Sequence, residues 1–350
     1  MTHNDIFDSL TRNAFDFLKR GIAEFDQTPK YSVIHFCTAV EMLLKARLMK
    51  EHWSLIVSKP DQASLAKFKA GDFTSVTLEE ARVRLRNIVG EDIGDGAYAS
   101  FRALANHRNK MVHFFHQGLD SDEKAKAQIV AEHSRSWLHL HRLLKNWSAY
   151  FRDFHNDIVL ANYAMKEHRK YLSTKFKTLK SELDAARTAG SVPRECIACG
   201  FKAAIPNALD DHITSLCCLV CDHVETLVAL KCPHCSESIV IANECDPRCK
   251  HCKQSIKHED LANVLTDQDA THIGIKDDND LWYPVNCGCC EGYHTVVRRS
   301  DYYFCLNCFS ISYHIDQCRW CKEFNTGSMS MSYLAGCGYC SGKEEWLEDN

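Results

Sequence analysis

The chain has 350 residues, a formal net charge of −4, 45% hydrophobic and 25% charged residues. These values exclude a fibrous or disordered chain and a generally basic nucleic-acid coat. Its length exceeds the usual span of one core, so two or three domains are expected. The 20 cysteines are unevenly placed: Cys37 alone lies in the first 195 residues, and the rest fall between Cys196 and Cys340. The start carries no basic region followed by an apolar stretch, and no segment approaches ~18 uninterrupted apolar residues, so the expectation is a cytoplasmic protein that does not span a membrane. In a reducing compartment, regularly spaced cysteines read as metal ligands before they read as disulfides.

Helical spacing opens the chain. Ile6, Leu10, Phe17 and Leu18 form one stripe, and Val33, Cys37, Val40, Leu44 and Leu48 form another. Thr28-Pro29-Lys30 separates them and predicts a helix starting near Pro29. Thr77-Leu78-Glu79-Glu80 is a capping box, followed by a stripe that Gly90 stops. A further helix is expected from about Ala97 to Gln117, closed by Gly118. Four helices with short or medium connections predict a bundle. Residues 123–188 contain neither proline nor glycine and predict two helices, the second a Lys/Glu-rich stalk or coiled coil. Thr188-Ala189-Gly190-Ser191-Val192-Pro193 is the expected domain linker.

Within the fourth helix, Arg108 is followed by Asn109 and, five positions on, by His113. Spacing alone is common, since Arg47 to His52 and Arg102 to His107 share it. On a helix, five residues advance ~500°, so Arg108 and His113 stand ~140° apart, while Asn109 and His113 share a face. One copy therefore makes a splayed site, whereas two copies across a twofold axis enclose a phosphate. In the bland reading, Asn109 and His113 are an exposed pair and Arg108 snorkels from a core face. Glu41 either orients Arg108 or pairs with Lys45 at i,i+4.

The segment Arg108-Asn109-Lys110-Met111-Val112-His113, with the earlier helix Phe36-Cys37-Thr38-Ala39-Val40-Glu41-Met42-Leu43-Leu44-Lys45-Ala46, resembles the HEPN superfamily over about residues 5–150. Ribonucleases of that family carry Arg, usually a polar residue next, and His after a spacer of four to six. The insertion between Glu51 and Thr77 departs from its compact members. The resemblance implies a homodimeric, metal-independent endoribonuclease with Arg108, Asn109 and His113 as catalytic residues. It also implies a role as a regulated toxin or antiviral defence effector. His113 would move the proton of a ribose 2′-hydroxyl or of the 5′-oxygen leaving group, and Arg108 would neutralise the phosphoryl oxygens. Asn109 would orient the imidazole or the phosphate. RNA is the implied substrate, with cyclic phosphate and 5′-hydroxyl products.

Eight Cys-x2-Cys pairs follow: Cys196/Cys199, Cys218/Cys221, Cys232/Cys235, Cys249/Cys252, Cys287/Cys290, Cys305/Cys308, Cys318/Cys321 and Cys337/Cys340. Two pairs supply the four thiolates of a structural zinc site, so four zinc ions are expected. Sequential pairing closes the shorter loops; interleaved, cross-braced pairing and iron remain alternatives. Cys217, Cys245 and Cys289 are spares, and His234 and His251 are expected to face solvent. A hairpin tip at Arg298-Arg299-Ser300-Asp301, flanked by aromatics, reads either as a grip on single-stranded nucleic acid or as a soluble turn over a small core.

The expected organisation is therefore an all-α HEPN-like bundle followed by small β-rich zinc-ribbon modules. Residues 1–150 form the bundle and 151–190 the stalk or connector. Tandem ribbons occupy 191–255, a connector with a short helix and an acidic turn at Asp277–Asp280 occupies 256–284, and two further ribbons occupy 285–350. The ribbons would recognise RNA, a partner, or a protein trigger or inhibitor. A competing expectation is a non-catalytic dimeric adaptor whose ribbons bind nucleic acid or protein.

Overall fold

A computed structural model describes residues 2–113, 123–243, 247–266, 285–290, 292–299 and 301–343. It divides into two compact units, Met1–Asp184 and Ala185–Asn350. The first is helical and the second is β-rich.

The helical unit begins with α1, His3–Ala23, whose start is closed by a capping box between Thr2 and Asp5. Helix α2, Pro29–Glu51, takes Pro29 at its first turn, where the missing N–H costs nothing. It buries residues on nearly every side, from Val33, Phe36 and Val40 to Ala46, Leu48 and Met49, as expected of a helix surrounded by others. Helix α1 packs along it closely enough that a Cβ on Gly21 would lie 3.2 Å from the Phe36 amide and the Ser32 carbonyl. Helices α4, Leu78–Arg84, and α5, Asp95–His113, pack on α2 as well. The expected capping box forms at Thr77 and Glu80, and the helix continues through a π turn at Leu85–Val89 to Gly90 (φ 80°). The insertion after Glu51 holds short helical turns at Trp53–Ile56 and Pro60–Gln62, and α3, Leu65–Ala70. The expected end of α5 at Gln117–Gly118 lies outside the described residues.

Helix α6, Glu123–Asn146, buries Trp137, Leu140 and Leu144. The expected two long helices after residue 123 are instead four: α6, α7 (His155–Lys166), α8 (Arg169–Thr178) and α9 (Lys180–Thr188). The stalk expected at 151–190 is corrected accordingly. Phe154, Ile158, Met165, Tyr171, Leu172 and Leu179 are buried, α7 packs on α1 and α8 packs on α6. Phe15 and Phe154 stack with ring centroids 5.7 Å apart. Burying one such ring contributes about 2–3 kcal/mol, which favours docking these short helices over leaving them in water.

In the second unit, strands β1 (Arg194–Glu195), β2 (Lys202–Ala208), β3 (Ile213–Cys218), β4 (Val224–Lys231) and β5 (Ser238–Ile241) form an antiparallel sheet in that order. Helix α10, His258–Leu265, follows. A second sheet contains β6 (Val285–Asn286), β7 (Val296–Arg298), β8 (Tyr303–Cys305), β9 (Ile311–Ser312), β10 (Asp316–Gln317) and β11 (Phe324–Asn325). Its order is β10-β11-β6-β7-β8-β9, with β11 parallel to β6. A last short helix, α11, spans Ser332–Ala335.

The two pairs of ribbons are not separate bodies. Ile213, Val228 and Leu230 of the first sheet, Leu261 and Leu265 of α10, and Phe304 of the second sheet share one buried cluster. Leu261 and Leu265, expected within a connector, are thus core. Val285, Cys287, Val296 and Cys305 form a smaller cluster within the second sheet. The acidic turn at Asp277–Asp280 lies outside the described residues. No described helix is long and apolar enough to cross a membrane.

Candidate functional site

The strongest chemistry in the chain is sulfur. The sixteen paired cysteines converge as four tetrads of consecutive pairs: Cys196, Cys199, Cys218 and Cys221; Cys232, Cys235, Cys249 and Cys252; Cys287, Cys290, Cys305 and Cys308; Cys318, Cys321, Cys337 and Cys340. Ligand atoms within each set lie within 4.8 Å of one another. Close Sγ–Sγ approaches are 3.6 Å for Cys196–Cys221, 3.7 Å for Cys232–Cys252, 3.6 Å for Cys287–Cys308 and 3.8 Å for Cys318–Cys340. A tetrahedral ion with metal–sulfur bonds of about 2.3 Å needs sulfurs about 3.8 Å apart, so the four sets fit a metal ion. They are far too wide for disulfides. The pairing is sequential, not interleaved.

A repeated backbone turn builds these sites. The first cysteine of a pair donates its N–H to the carbonyl five residues on: Cys196 to Phe201, Cys218 to His223, Cys232 to Glu237, Cys249 to Gln254, Cys287 to Gly292, Cys305 to Ser310 and Cys318 to Glu323. The residue four positions on donates back to that cysteine's carbonyl and takes positive φ. Gly200 (71°), Asp222 (59°), Ser236 (61°), Lys253 (62°), Phe309 (56°) and Lys322 (68°) all do so. Only one of these six is glycine, the residue for which this conformation is free of strain. The turn also aims amides at sulfur. His251 N–H donates to Cys249 Sγ at 3.4 Å, Cys289 N–H to Cys287 Sγ at 3.3 Å and Asn307 N–H to Cys305 Sγ at 3.4 Å.

Such donors favour thiolate. Backbone N–H groups of Cys252 and His251 pull the Cys249 thiol down to about 6 against the effect of burial. Burial opposes ionisation at Cys287 and Cys318, yet the Ser310 hydroxyl and nearby amides hold Cys287 at about 6, and the Cys321 and Trp320 amides do the same for Cys318. Burial pushes Cys199 and Cys218 up to about 11. Each site thus mixes sulfurs that ionise readily with sulfurs whose protons an arriving cation must displace.

The spare thiols Cys217 and Cys289 are exposed and belong to no tetrad, while Cys245 lies outside the described residues. His234 is exposed and its Nε2 approaches the Ser255 carbonyl at 3.3 Å. Of the two readings of the Arg298-Arg299 tip, the contacts of Arg299 favour the turn over a small core. Arg299 Nε donates to Asp210 Oδ2 at 2.7 Å and another of its nitrogens donates to the Leu265 carbonyl. Tyr302 donates its hydroxyl to the same Asp210 oxygen at 2.6 Å. Against burial, these donors and the amides of His212 and Ile213 pull Asp210 down to about 2. Arg299 therefore ties the two sheets together. Ser300 lies outside the described residues.

In the helical unit, α2 and α5 present the second constellation. Arg108 Nη2 donates to Glu41 Oε1 at 2.7 Å, with both side chains about one quarter exposed (27% and 28%). Glu41 therefore reaches across to α5 rather than only along its own helix. Arg108 Nε is buried without a hydrogen bond among the described residues. Asn109 and His113 are exposed, beside an exposed Val112. Lys45, one turn from Glu41, has its ammonium disfavoured by burial first and by the Arg108 charge, with Glu41 opposing. Burial pushes the Cys37 thiol up to about 12, so it is inert. Adjacent to Arg108, His107 Nε2 meets Glu132 Oε2 at 2.8 Å. Neither Lys45 nor the His107–Glu132 pair stood out in the sequence; only the i,i+4 relation of Lys45 to Glu41 pointed to the first.

Comparison with family models, with curated proteins and with solved structures finds no match for the chain.

Proposed function

We propose that the chain is a HEPN-type endoribonuclease that works as a homodimer, carrying four structural zinc ions in a β-rich unit that serves recognition. The observation that carries the reading is the Glu41–Arg108 bond, which holds a guanidinium at the surface of α5 five residues before an exposed His113. A carboxylate partner fixes the arginine's direction and leaves its remaining Nη N–H groups for phosphate. Two such surfaces facing each other would bring both arginines and both histidines to one phosphodiester.

In the proposed reaction, one imidazole takes the 2′-hydroxyl proton as that oxygen attacks phosphorus, and an imidazolium gives a proton to the departing 5′-oxygen. The products are a 2′,3′-cyclic phosphate and a 5′-hydroxyl. Arginine stabilises the charge on the equatorial oxygens. Asn109, one turn before His113, orients the imidazole or the phosphate. Because the nucleophile lies within the substrate, no metal-bound water is required. The toxin or antiviral role and the cytoplasmic setting are part of the same proposal.

Zinc is the proposed occupant of the tetrads because four thiolates close the coordination shell and leave no open position for chemistry. Metal analysis of the purified chain, expected to give four zinc and no iron, tests that assignment.

The experiment for the enzyme compares wild type with His113→Ala on mixed RNAs without added divalent cations, after circular dichroism shows both folded. Cleavage by wild type and its loss in the variant, with cyclic-phosphate ends, is the expected result. Equal cleavage by both removes His113 from the mechanism. Absence of cleavage by wild type under every trigger tried leaves the non-catalytic adaptor as the better description.

A further inference from the structure

We propose that the surface around the fourth tetrad binds single-stranded RNA by stacking bases on aromatic side chains. It extends the ribonuclease reading, from which RNA rather than DNA is chosen, but places the contact on the β-rich unit and does not require cleavage.

The four tetrads differ in what sits between their paired cysteines. The first carries Ile197-Ala198 and Leu219-Val220, and the third carries Gly288-Cys289 and Leu306-Asn307. The second carries Pro233-His234 and Lys250-His251. Only the fourth has a large aromatic ring in both pairs, Trp320 and Tyr339. Both rings belong to turns that hold the same four sulfurs, and both are half-buried. Trp320 meets Tyr333 edge-on with centroids 5.7 Å apart, and Tyr333 is 45% exposed.

A second pair of rings adjoins them. Tyr293 lies 5.6 Å from Tyr339 and stacks on His294 at 3.7 Å, yet it is 56% exposed. Its position is enforced. His294 takes φ 53°, outside the tetrad turns, and is held there by its N–H to Asn286 Oδ1 (2.9 Å) and by Nε2 to Glu323 (3.0 Å). A strained non-glycine residue that turns a tyrosine toward water is uneconomical for folding alone. Tyr339 is oriented by its hydroxyl, which donates to the Cys287 carbonyl at 3.1 Å.

Cations border the rings. Arg319 and Lys322 are exposed beside Trp320, and Lys343 Nζ lies 5.7 Å from the Tyr333 centroid. Among the described residues nearby, the Glu323 carboxylate faces His294, and that of Asp316 accepts the N–H groups of Gln317 and Met329. Aromatic faces with interleaved cations suit a chain of unpaired bases on a phosphate backbone. Glu344, Glu345, Glu348 and Asp349 follow in sequence outside the described residues and work against a polyanion. Stacking therefore carries the larger share of affinity, and three cations set the salt slope at no more than about −2 in log K against log salt.

The test uses the full metal-loaded chain with His113→Ala, so that the probe is not consumed, and follows the anisotropy of a fluorescent uridine oligonucleotide of about 10 nucleotides. Trp320→Leu and Tyr333→Ala are each expected to weaken binding by roughly five- to 100-fold, the effect of removing one stacking platform. Ile197→Ala, at an exposed residue beside the first tetrad, is expected to leave affinity unchanged. Metal content and melting temperature are measured for each variant, so that a misfolded Trp320→Leu protein leaves Tyr333→Ala as the deciding case. Equal affinity of folded Tyr333→Ala and its parent overturns the proposal, as does failure of the parent to bind RNA at low salt. Loss of binding equally in Ile197→Ala, or tighter binding of a double-stranded probe, overturns it too. Because the readout is binding, each of these results is independent of whether His113 catalyses anything.

Discussion

The six left-handed residues in the tetrad turns make a sign-specific prediction about metal affinity. Ser236 is exposed, its N–H closes the turn to the Cys232 carbonyl at 2.8 Å, and its φ is 61°. An L-residue in this conformation costs about 1–2 kcal/mol, and a glycine there costs nothing in the folded state. Glycine loosens the unfolded chain by about 0.4–1 kcal/mol in the opposite direction. Ser236→Gly is therefore expected to stabilise the closed site by roughly 0.5–1 kcal/mol. Because closing the site and binding the ion are one event, this corresponds to about two- to fivefold tighter metal binding. Gly200→Ala should give the mirror image, since an added Cβ meets nothing within 4 Å and only the φ of 71° is penalised. Ser236→Val, with a branched Cβ, should weaken binding most. Competition against a chromogenic chelator, scored per tetrad by metal content, measures all three. If Ser236→Gly and Ser236→Val bind metal equally, the left-handed turn is not what closes the site and the reasoning fails.

His133 is buried between Phe25 and Phe36, and burial, aided by the His168 charge, holds its pKa down to about 3. Its unfolded value is ~6.5, so the unfolded state binds the extra proton. Its contribution to stability is complete above that pH and is lost at up to about 1.4 kcal/mol per pH unit as pH falls toward 3. Urea melts of the helical unit between pH 7 and 4.5 should steepen this way in wild type, and a His133→Gln variant that lacks the dependence confirms the source. Glu41→Gln should cost no more than about 1 kcal/mol of stability, because the pair is partly exposed, while lowering RNA cleavage at least tenfold. Unchanged cleavage would separate Glu41 from Arg108 function. Arg299→Met leaves Asp210 without its guanidinium and should destabilise the β-rich unit by about 1.5–3 kcal/mol, read as a lower melting temperature. It should leave RNA affinity unaltered, because the arginine is spent on Asp210. Stripping metal with a strong chelator should abolish the β-rich unit's ordered signal and leave the helical circular dichroism, since the two are separate compact units; coincident loss of both would contradict that independence.

What the sequence disclosed follows the range of the forces involved. The eight cysteine pairs are legible because a metal site is specified by spacing over a few residues, and the turns that serve it are equally local. The Thr77–Glu80 capping box and the Pro29 start are local too. The breaks at His168 and Leu179 were illegible: neither glycine nor proline marks them, and the short helices they separate bury Met165, Tyr171 and Leu183, with α7 packing on α1 and α8 on α6. The choice between the two readings of Arg299 was out of reach of the sequence for a similar reason, since its partner Asp210 lies 89 positions away. Asn109 and His113 were legible as an exposed helical face, but among the described residues no contact brings His113 to Arg108. Under the proposed function the motif would specify half of a site, with a second copy supplying the rest.

The cluster that joins the two sheets through α10 bears on how this half of the protein can change over evolutionary time. A fragment ending after Leu265 would bare Val228, Leu230 and Leu261 to water on the side that Phe304 covers. Four repeated modules would ordinarily be free to be shuffled, duplicated or deleted one by one. Here the second and third are welded, so recombination can exchange the cysteine-rich half only as a whole. Within it, the first and fourth sites, which contribute neither a cysteine nor a residue between paired cysteines to that cluster, are where new specificity is most readily grafted.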